Sequence, residues 1–324
     1  METYKNIIAS PCYVYGVSLN GDGSSTPLIA GEPGQRPVWI HLDYANEDCA
    51  NVLKQMDVSE SSIESLIRHD TRPRTMLKRG GTIIILRAVN LNLGNDPEDM
   101  VSLRFLLESN RLITLRKRNV QSTLHIKHEL ELGQGPDNIH ALMLAIIENI
   151  ADLISDYVNQ LEAEIEIHET NIEVGSATVI RRKVIDIRRQ AVAIRRYLAP
   201  QRDALDIFYL QAKNFLAEED ALYLHEQSDR IIRNVEDLDL LREKALLLQE
   251  ELQNRFAQDQ AARMYVLAMV STIFMPVTFL TGVFGMNVAG LPGLIEPRAF
   301  NLVIGFMLVV VCGIVFWLNK KKWL

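Results

Sequence analysis

Read at intervals of seven, one stretch of this sequence gives Glu236, Glu243, Glu250, Ala257, Met264, Ser271, Thr278 and Gly285. Carboxylates hold the first three rungs, and small, hydroxyl-bearing or apolar groups hold the rest. On one face of a helix, such carboxylates would concentrate cations, and hydroxyl groups and freed carbonyls would exchange hydrogen bonds with water. A solvated charged face accounts for the same acids. The rungs stay aligned only if the helices carrying them supercoil, because a straight helix drifts by about 20° per heptad. The last rung opens a short polar group, Gly285, Met286 and Asn287, and Asn287 offers a neutral amide oxygen as acceptor.

Other candidate chemistry is sparse. The sequence holds no GxGxxG, Walker-type loop, HExxH or nucleophile elbow, which argues against an enzyme. Imidazole suits zinc, and His125 and His128 share a face at i, i+3 spacing, but no third ligand is near them in sequence. His168 sits among glutamates and is a further weak metal candidate, ahead of His41, His69, His140 and His225. Cys12, Cys49 and Cys312 lie far apart without CxxC spacing, which fits a reducing compartment and no disulfide framework.

The elements that must position these groups begin with an apolar run. No charged residue lies between Arg263 and Glu296. Met264 to Phe284 makes a helix of about 31 Å, and Phe300 to Leu318 one of about 28 Å; each is long enough to cross a bilayer core. Residues 1–264 hold 30 Lys+Arg against 40 Asp+Glu, whereas 265–324 hold 4 against 1. An acidic soluble region is therefore joined to a small basic membrane anchor. Lys320, Lys321 and Lys322 follow the second span, and the loop between the spans holds only Glu296, its one anionic side chain, and Arg298. The positive-inside rule puts both termini in the cytoplasm and the loop outside. Met1 to Pro11 lacks the apolar core of a secretory signal.

The first span carries Ser271, Thr272, Pro276, Thr278, Thr281 and Gly282, whereas the second is mostly Val, Ile, Leu and Phe. With the 3.5-residue period of packed helices, one stripe of the first span reads Met264, Ala268, Ser271, Met275, Thr278, Gly282 and Gly285. Two readings fit it. Small residues permit close helix packing, with hydroxyls bonded back to the preceding turn. Alternatively, several copies of the helix build a pore wall around an axis. Pro276 favours the second, since it frees the carbonyl of Thr272 and freed carbonyls at membrane depth face protein or water.

From about Ser228 to Phe284, Pro276 and Gly282 are the only helix breakers, and Ile231, Val235, Leu238, Leu241, Ala245, Leu248, Leu252 and Phe256 recur at three or four. This predicts one helix of about 85 Å, and a helix that long needs partners along its length. A helical hairpin precedes it. Ala151 to Val174 has seven acids and no base, Thr178 to Arg202 has eight bases and one acid, and Gly175-Ser176 supplies the turn. The charges of the two helices are expected to oppose each other. That acidic neighbour and the lack of an aromatic platform argue against nucleic acid as a partner of the basic run. Residues 1–135 read as α/β. Strands are expected at 12–19, 37–43, 82–92, 101–107 and 111–116, and helices at 46–56, 61–69 and 120–132, the second with Ser61 and Glu64 as a capping box.

The segment Ile273-Phe274-Met275-Pro276-Val277-Thr278-Phe279-Leu280-Thr281-Gly282-Val283-Phe284-Gly285-Met286-Asn287, after a long helix and before a second span with a lysine-rich end, resembles the end of the first transmembrane helix in the CorA superfamily of metal-ion transporters. The following Val288-Ala289-Gly290-Leu291-Pro292-Gly293 resembles the ZntB, zinc-associated branch. The Met-Pro-Glu-Leu loop typical of the magnesium branch is absent, and Ala289 replaces one of the usual paired glycines.

The resemblance implies a homopentameric CorA-like channel of fold class α+β: a cytoplasmic funnel domain, a long stalk helix and two C-terminal transmembrane helices. It places Gly285, Met286 and Asn287 at the outer mouth of the pore. It lines that pore with Met264, Ala268, Ser271, Met275, Thr278 and Gly282, and sets Glu236, Glu243 and Glu250 to attract cations at the inner end. The implied organisation is an α/β domain over 1–135, a helical hairpin region over 136–227, a cytoplasmic stalk over 228–263, spans at 264–284 and 300–318, a periplasmic loop over 285–299 and a basic tail over 319–324. The expected function is Zn2+ import across the cell inner membrane, coupled to protons as the family suggests. It implies no cofactor, and its partners are the lipid bilayer, divalent cations, protons and the other four subunits. Zinc efflux, Mg2+, Co2+ or Ni2+ conduction, and a membrane-anchored coiled-coil scaffold or sensor are the alternatives.

Overall fold

Runs rich in β-branched and aromatic residues supply the strands of a seven-stranded sheet: β1 (Tyr13–Leu19), β2 (Ser25–Pro27), β3 (Val38–Asp43), β4 (Arg74–Lys78), β5 (Gly81–Ala88), β6 (Val101–Leu107) and β7 (Arg111–Arg116). The computed structural model describes residues 2–28, 36–69, 72–78, 80–172, 176–213, 215–286, 288, 291 and 298–321. Strand order is β2-β1-β3-β7-β6-β5-β4. β3 and β7 are parallel and the other neighbours antiparallel. A parallel pair needs a crossover, supplied here by everything between residues 43 and 111, including α2 (Cys49–Gln55) and α3 (Glu60–Ile67).

Side chains alternate across the pleat, so each strand feeds two layers. One face presents Val38, Ile40, Leu42, Ile83, Ile85, Leu106, Ile113 and Leu115 to α2, α3 and Ile7 of α1 (Glu2–Ala9). The other carries the buried Trp39, Phe105 and Thr114 and meets α4 (Gln121–Glu131), α5 (Ile139–Thr170) and α6 (Ala177–Ala212). Polar ties fix that second layer. The Tyr15 hydroxyl donates to the Thr123 carbonyl at 3.2 Å, the Thr75 hydroxyl to the Ala204 carbonyl at 2.6 Å, and the Arg87 amide to the Gln201 side chain at 2.7 Å.

Several local expectations change. Short, polar edge strands β2 and β4 and helix α1 are additional to the sequence reading. The cap of α3 is Ser59, whose hydroxyl accepts the Ser62 amide, rather than Ser61, which lies inside the helix. α6 continues through Pro200 to Ala212, ten residues beyond the expected end, because Leu205, Phe208 and Ala212 are buried and hold it in place.

The last two helices are α7 (Glu218–Phe284) and α8 (Ala299–Lys320). α7 begins ten residues before Ser228, with Glu218, Glu219 and Asp220 in its first turn, where carboxylates complement the helix dipole. Arg195 of α6 and Asp152 of α5 find partners on α7, and among the described residues no ion pair of the expected kind joins α5 to α6. Arg195 pairs with Asp239 at 2.6 Å, and Asp152 pairs with Arg230. The Asn234 amide adds a bond to the Ser155 hydroxyl at 3.0 Å. Gly175 and Glu173 of the expected turn lie outside the described residues. By compactness the chain divides into 1–249 and 250–324, a boundary inside α7.

Candidate transport path

In the unit 1–249, α7 has a dry side and a wet side. Ile231, Val235, Leu238, Leu241, Ala245 and Leu248 are buried, whereas Glu236 and Glu243 are exposed. The apolar recurrence is therefore a packing seam, and the acidic rungs lie off it. Phe256, placed on that seam by its spacing, is 42% exposed; it lies in the other unit, beyond the last buried seam residue, Leu252.

In the unit 250–324, exposure becomes the rule. Glu250, Ala257, Met264, Ala268, Ser271, Met275, Thr278, Gly282, Gly285 and Met286 are all exposed. The most apolar 18-residue window of α7 is 0% buried and that of α8 is 6% buried, and both helices are long and apolar enough to cross a membrane. Surfaces this apolar need lipid or further protein around them. A single copy leaves the whole stripe uncovered.

The hydroxyl groups of the first span divide into spent and unspent. Ser271 donates to the Leu267 carbonyl at 2.9 Å, Thr272 to the Ala268 carbonyl at 2.8 Å and Thr281 to the Thr278 carbonyl at 2.9 Å. These bonds satisfy donors that would otherwise be costly in hydrocarbon. Among the Ser and Thr hydroxyls of the span, Thr278 is the one not committed to such a bond. α7 stays helical through Pro276, which has no N–H to offer the Thr272 carbonyl. An available hydroxyl and a released carbonyl thus lie within two turns of each other.

Gly285 follows the last residue of α7, and a steric reason requires glycine there. Its amide donates to the Thr281 carbonyl at 2.8 Å, and a Cβ at this position would stand 2.9 Å from that same oxygen. Any side chain would push the backbone turn open. Asn287 and Glu296 lie outside the described residues.

The histidine candidates do not converge. On α4, His125 Nε2 lies 3.3 Å from Glu129 and His128 Nδ1 lies 3.8 Å from Glu131, both on an exposed surface. His168 stands in the last turn of α5. Among the described residues no three His, Cys, Asp or Glu side chains come together as a metal site. His41 is a core residue. Trp39 donates to the Thr114 hydroxyl at 2.8 Å, which stands 2.7 Å from His41 Nδ1, while His41 Nε2 is buried without a partner. Burial, aided by the Arg116 charge, lowers its pKa to about 3 and keeps it neutral.

A model of the family described as CorA-like Mg2+ transporter protein matches residues 34–321. The chain belongs to this CorA-like family. Its members are ion transporters and not enzymes. The match includes both membrane-length helices and Gly285-Met286-Asn287.

Relatives within the CorA-like family agree over nearly the whole chain. The zinc transport protein ZntB of Yersinia enterocolitica is 29% identical over 320 residues, 96% of each chain. The divalent cation transporter CmaX of Pseudomonas aeruginosa is 32% identical over 301 residues, 89% of this chain and 90% of the relative. The solved full-length CmaX structure superimposes with a TM-score of 0.82 at 29% identity, covering 96% of this chain and 98% of that one. The architecture of sheet domain, long helix and two apolar C-terminal helices is that of the CorA-like fold.

Proposed function

We propose that this chain is one subunit of a homopentameric divalent-cation transporter of the inner membrane, and that its principal cargo is Zn2+, moved inward with coupling to protons. Family membership supports divalent-cation transport, and the ZntB relatives favour zinc. The observation that carries the reading is the uncovered stripe of α7, from Met264 to Gly285, in a helix whose membrane-length window holds no buried residue. Five copies turning this stripe inward would enclose a path lined by Met264, Ala268, Ser271, Met275, Thr278 and Gly282.

In this arrangement the chemistry is that of hydration. Five Asn287 amides at the outer mouth present neutral oxygens that hold the water shell of a dication without binding the bare ion tightly, and conduction needs sites weak enough to leave. Thr278 adds a ring of uncommitted hydroxyls, and the Thr272 carbonyl next to Pro276 adds an acceptor. Glu250, Glu243 and Glu236 raise the local cation concentration at the inner end. Residues 264–284 and 300–318 cross the bilayer, 285–299 face the periplasm, and residues 1–263 and 319–324 lie in the cytoplasm.

Zinc uptake into proteoliposomes tests the proposal. Asn287→Ala should abolish most of the flux while the purified protein keeps its oligomeric mass. Unchanged flux would leave a packing scaffold as the better reading. Magnesium competing with zinc as strongly as zinc itself would shift the cargo to the magnesium class. Flux indifferent to an imposed proton gradient would remove the coupling.

A further inference from the structure

The sheet face packed against α1, α2 and α3 does not stay apolar to its end. Along β6 that face reads Leu106, Arg104 and Ser102, and along β5 it reads Ile83, Ile85 and Arg87, with Arg104 opposite Ile85 and Ser102 opposite Arg87. Within one further step of the pleat, two guanidinium groups and a hydroxyl replace the hydrocarbon layer. Together with Tyr44, Lys117 and Arg118 they line a cavity of about 300 Å3.

Arg104 is the unusual group here. It is only 1% exposed, donates through Nη1 to the Leu66 carbonyl and lies 3.7 Å from the centre of the Tyr44 ring. Its Nε–H and the Ser102 hydroxyl are buried without a hydrogen-bond partner. Burial lowers the Arg104 pKa, and repulsion from Arg87 and Arg74 adds to that effect. Among the described lining residues the one carboxylate is Asp99, already paired with Arg118 at 2.5 Å. Arg104 and Lys117 add positive charge to the lining beyond that pair, in a chain whose net charge is −7. Orphaned buried donors are costly, and an anion in the cavity would satisfy both of these.

We propose that this cavity binds a multivalent oxyanion of the phosphate class, carried by a small phosphorylated molecule. Guanidinium forks and a hydroxyl match the oxygen geometry of phosphate. Arg104 and Ser102 would hold the anion at the buried end, with the exposed Lys117 and Arg118 at the rim. The space exceeds that of one phosphate group, which points to a di- or triphosphate. None of the described residues that line it belongs to α7.

Calorimetric titration of the full chain in detergent tests it, in buffer free of divalent cations so that chelation gives no signal. The probes are inorganic phosphate, pyrophosphate and ATP at constant ionic strength. Saturable binding of pyrophosphate, tighter than that of inorganic phosphate, is expected. Equal affinity for ATP would locate recognition in the phosphates alone, and higher affinity would add a nucleoside contribution; both support the site. Because Arg104 also anchors α3, the informative variants are Lys117→Gln and Ser102→Ala, which should weaken pyrophosphate about tenfold in combination with unchanged melting of the unliganded protein. Binding that does not saturate, that chloride displaces equally well, or that both substitutions leave intact overturns the proposal.

Discussion

Leu238 and Leu241 of α7 are fully buried, whereas Leu267 of the same helix is 61% exposed and Leu302 of α8 is 70% exposed. In the unit 1–249, apolar side chains close a core on both faces of a sheet. In the unit 250–324, they point outward and so require a non-aqueous surrounding or more copies of the chain. Hydroxyls differ in the same way. Thr114 in the soluble core bonds across to Trp39 and stands against His41, while Ser271 and Thr272 in the span bond back to their own helix. One unit closes an apolar core of its own, and the other leaves most of its apolar side chains uncovered.

The sharpest way to break this comparison is to delete side-chain volume in each unit. Leu238→Ala should destabilise the soluble unit by about 2–5 kcal/mol through the cavity it leaves. Phe279→Ala, at a position 70% exposed, should alter that stability by less than about 0.5 kcal/mol. Thermal melting followed by circular dichroism reads both, and equal losses would erase the distinction.

The next effect concerns protons. His41 has a folded-state pKa of about 3 against an ordinary value of 6.5, so the unfolded chain binds the extra proton between those values. Stability contributed by the neutral imidazole is fully present above pH 6.5 and falls as the pH drops towards 3, with a slope of at most about 1.4 kcal/mol per pH unit. Replacing His41 by Leu should flatten the acid limb of the melting profile between those limits. A profile identical to that of the unaltered chain would show that other groups set it.

The smallest effect separates charge from folding. Glu243→Gln, at an exposed rung, should change stability by less than about 0.5 kcal/mol while slowing cation capture in a manner that added salt suppresses. A stability loss as large as that of Leu238→Ala would mean that Glu243 is a packing residue.

Much of this organisation was legible in the sequence because it rests on long-range periodicity. The seam Ile231 to Leu252, the central strands and the two spans all announce themselves by spacing. What escaped depends on tertiary context. β2 and β4 are short edge strands with polar residues, and their strand character comes from the neighbours they pair with. α6 runs through Pro200 because the residues beyond it are buried. Hairpin charges that looked mutually complementary are claimed by a third helix. The stripe proposed to line the path was readable as a stripe, but whether a residue such as Thr278 keeps a free hydroxyl is decided by the local bonding of each turn. The basic cavity had only a faint signal, the alternating Ser102 and Arg104 in the otherwise apolar β6.

The 67 residues of α7 form one uninterrupted helix, and this makes angular phase a heritable property of the chain. Each residue added or removed upstream of Met264 rotates everything beyond it by about 100°. Deleting a single residue near Gln258 should swing the Thr278 hydroxyl away from the proposed path and silence uptake, although no residue within that part of the helix is altered. Deleting seven should bring the azimuth back nearly to its origin, and uptake with it. On the proposed pentamer, insertions and deletions in this segment would preserve transport only as whole heptads.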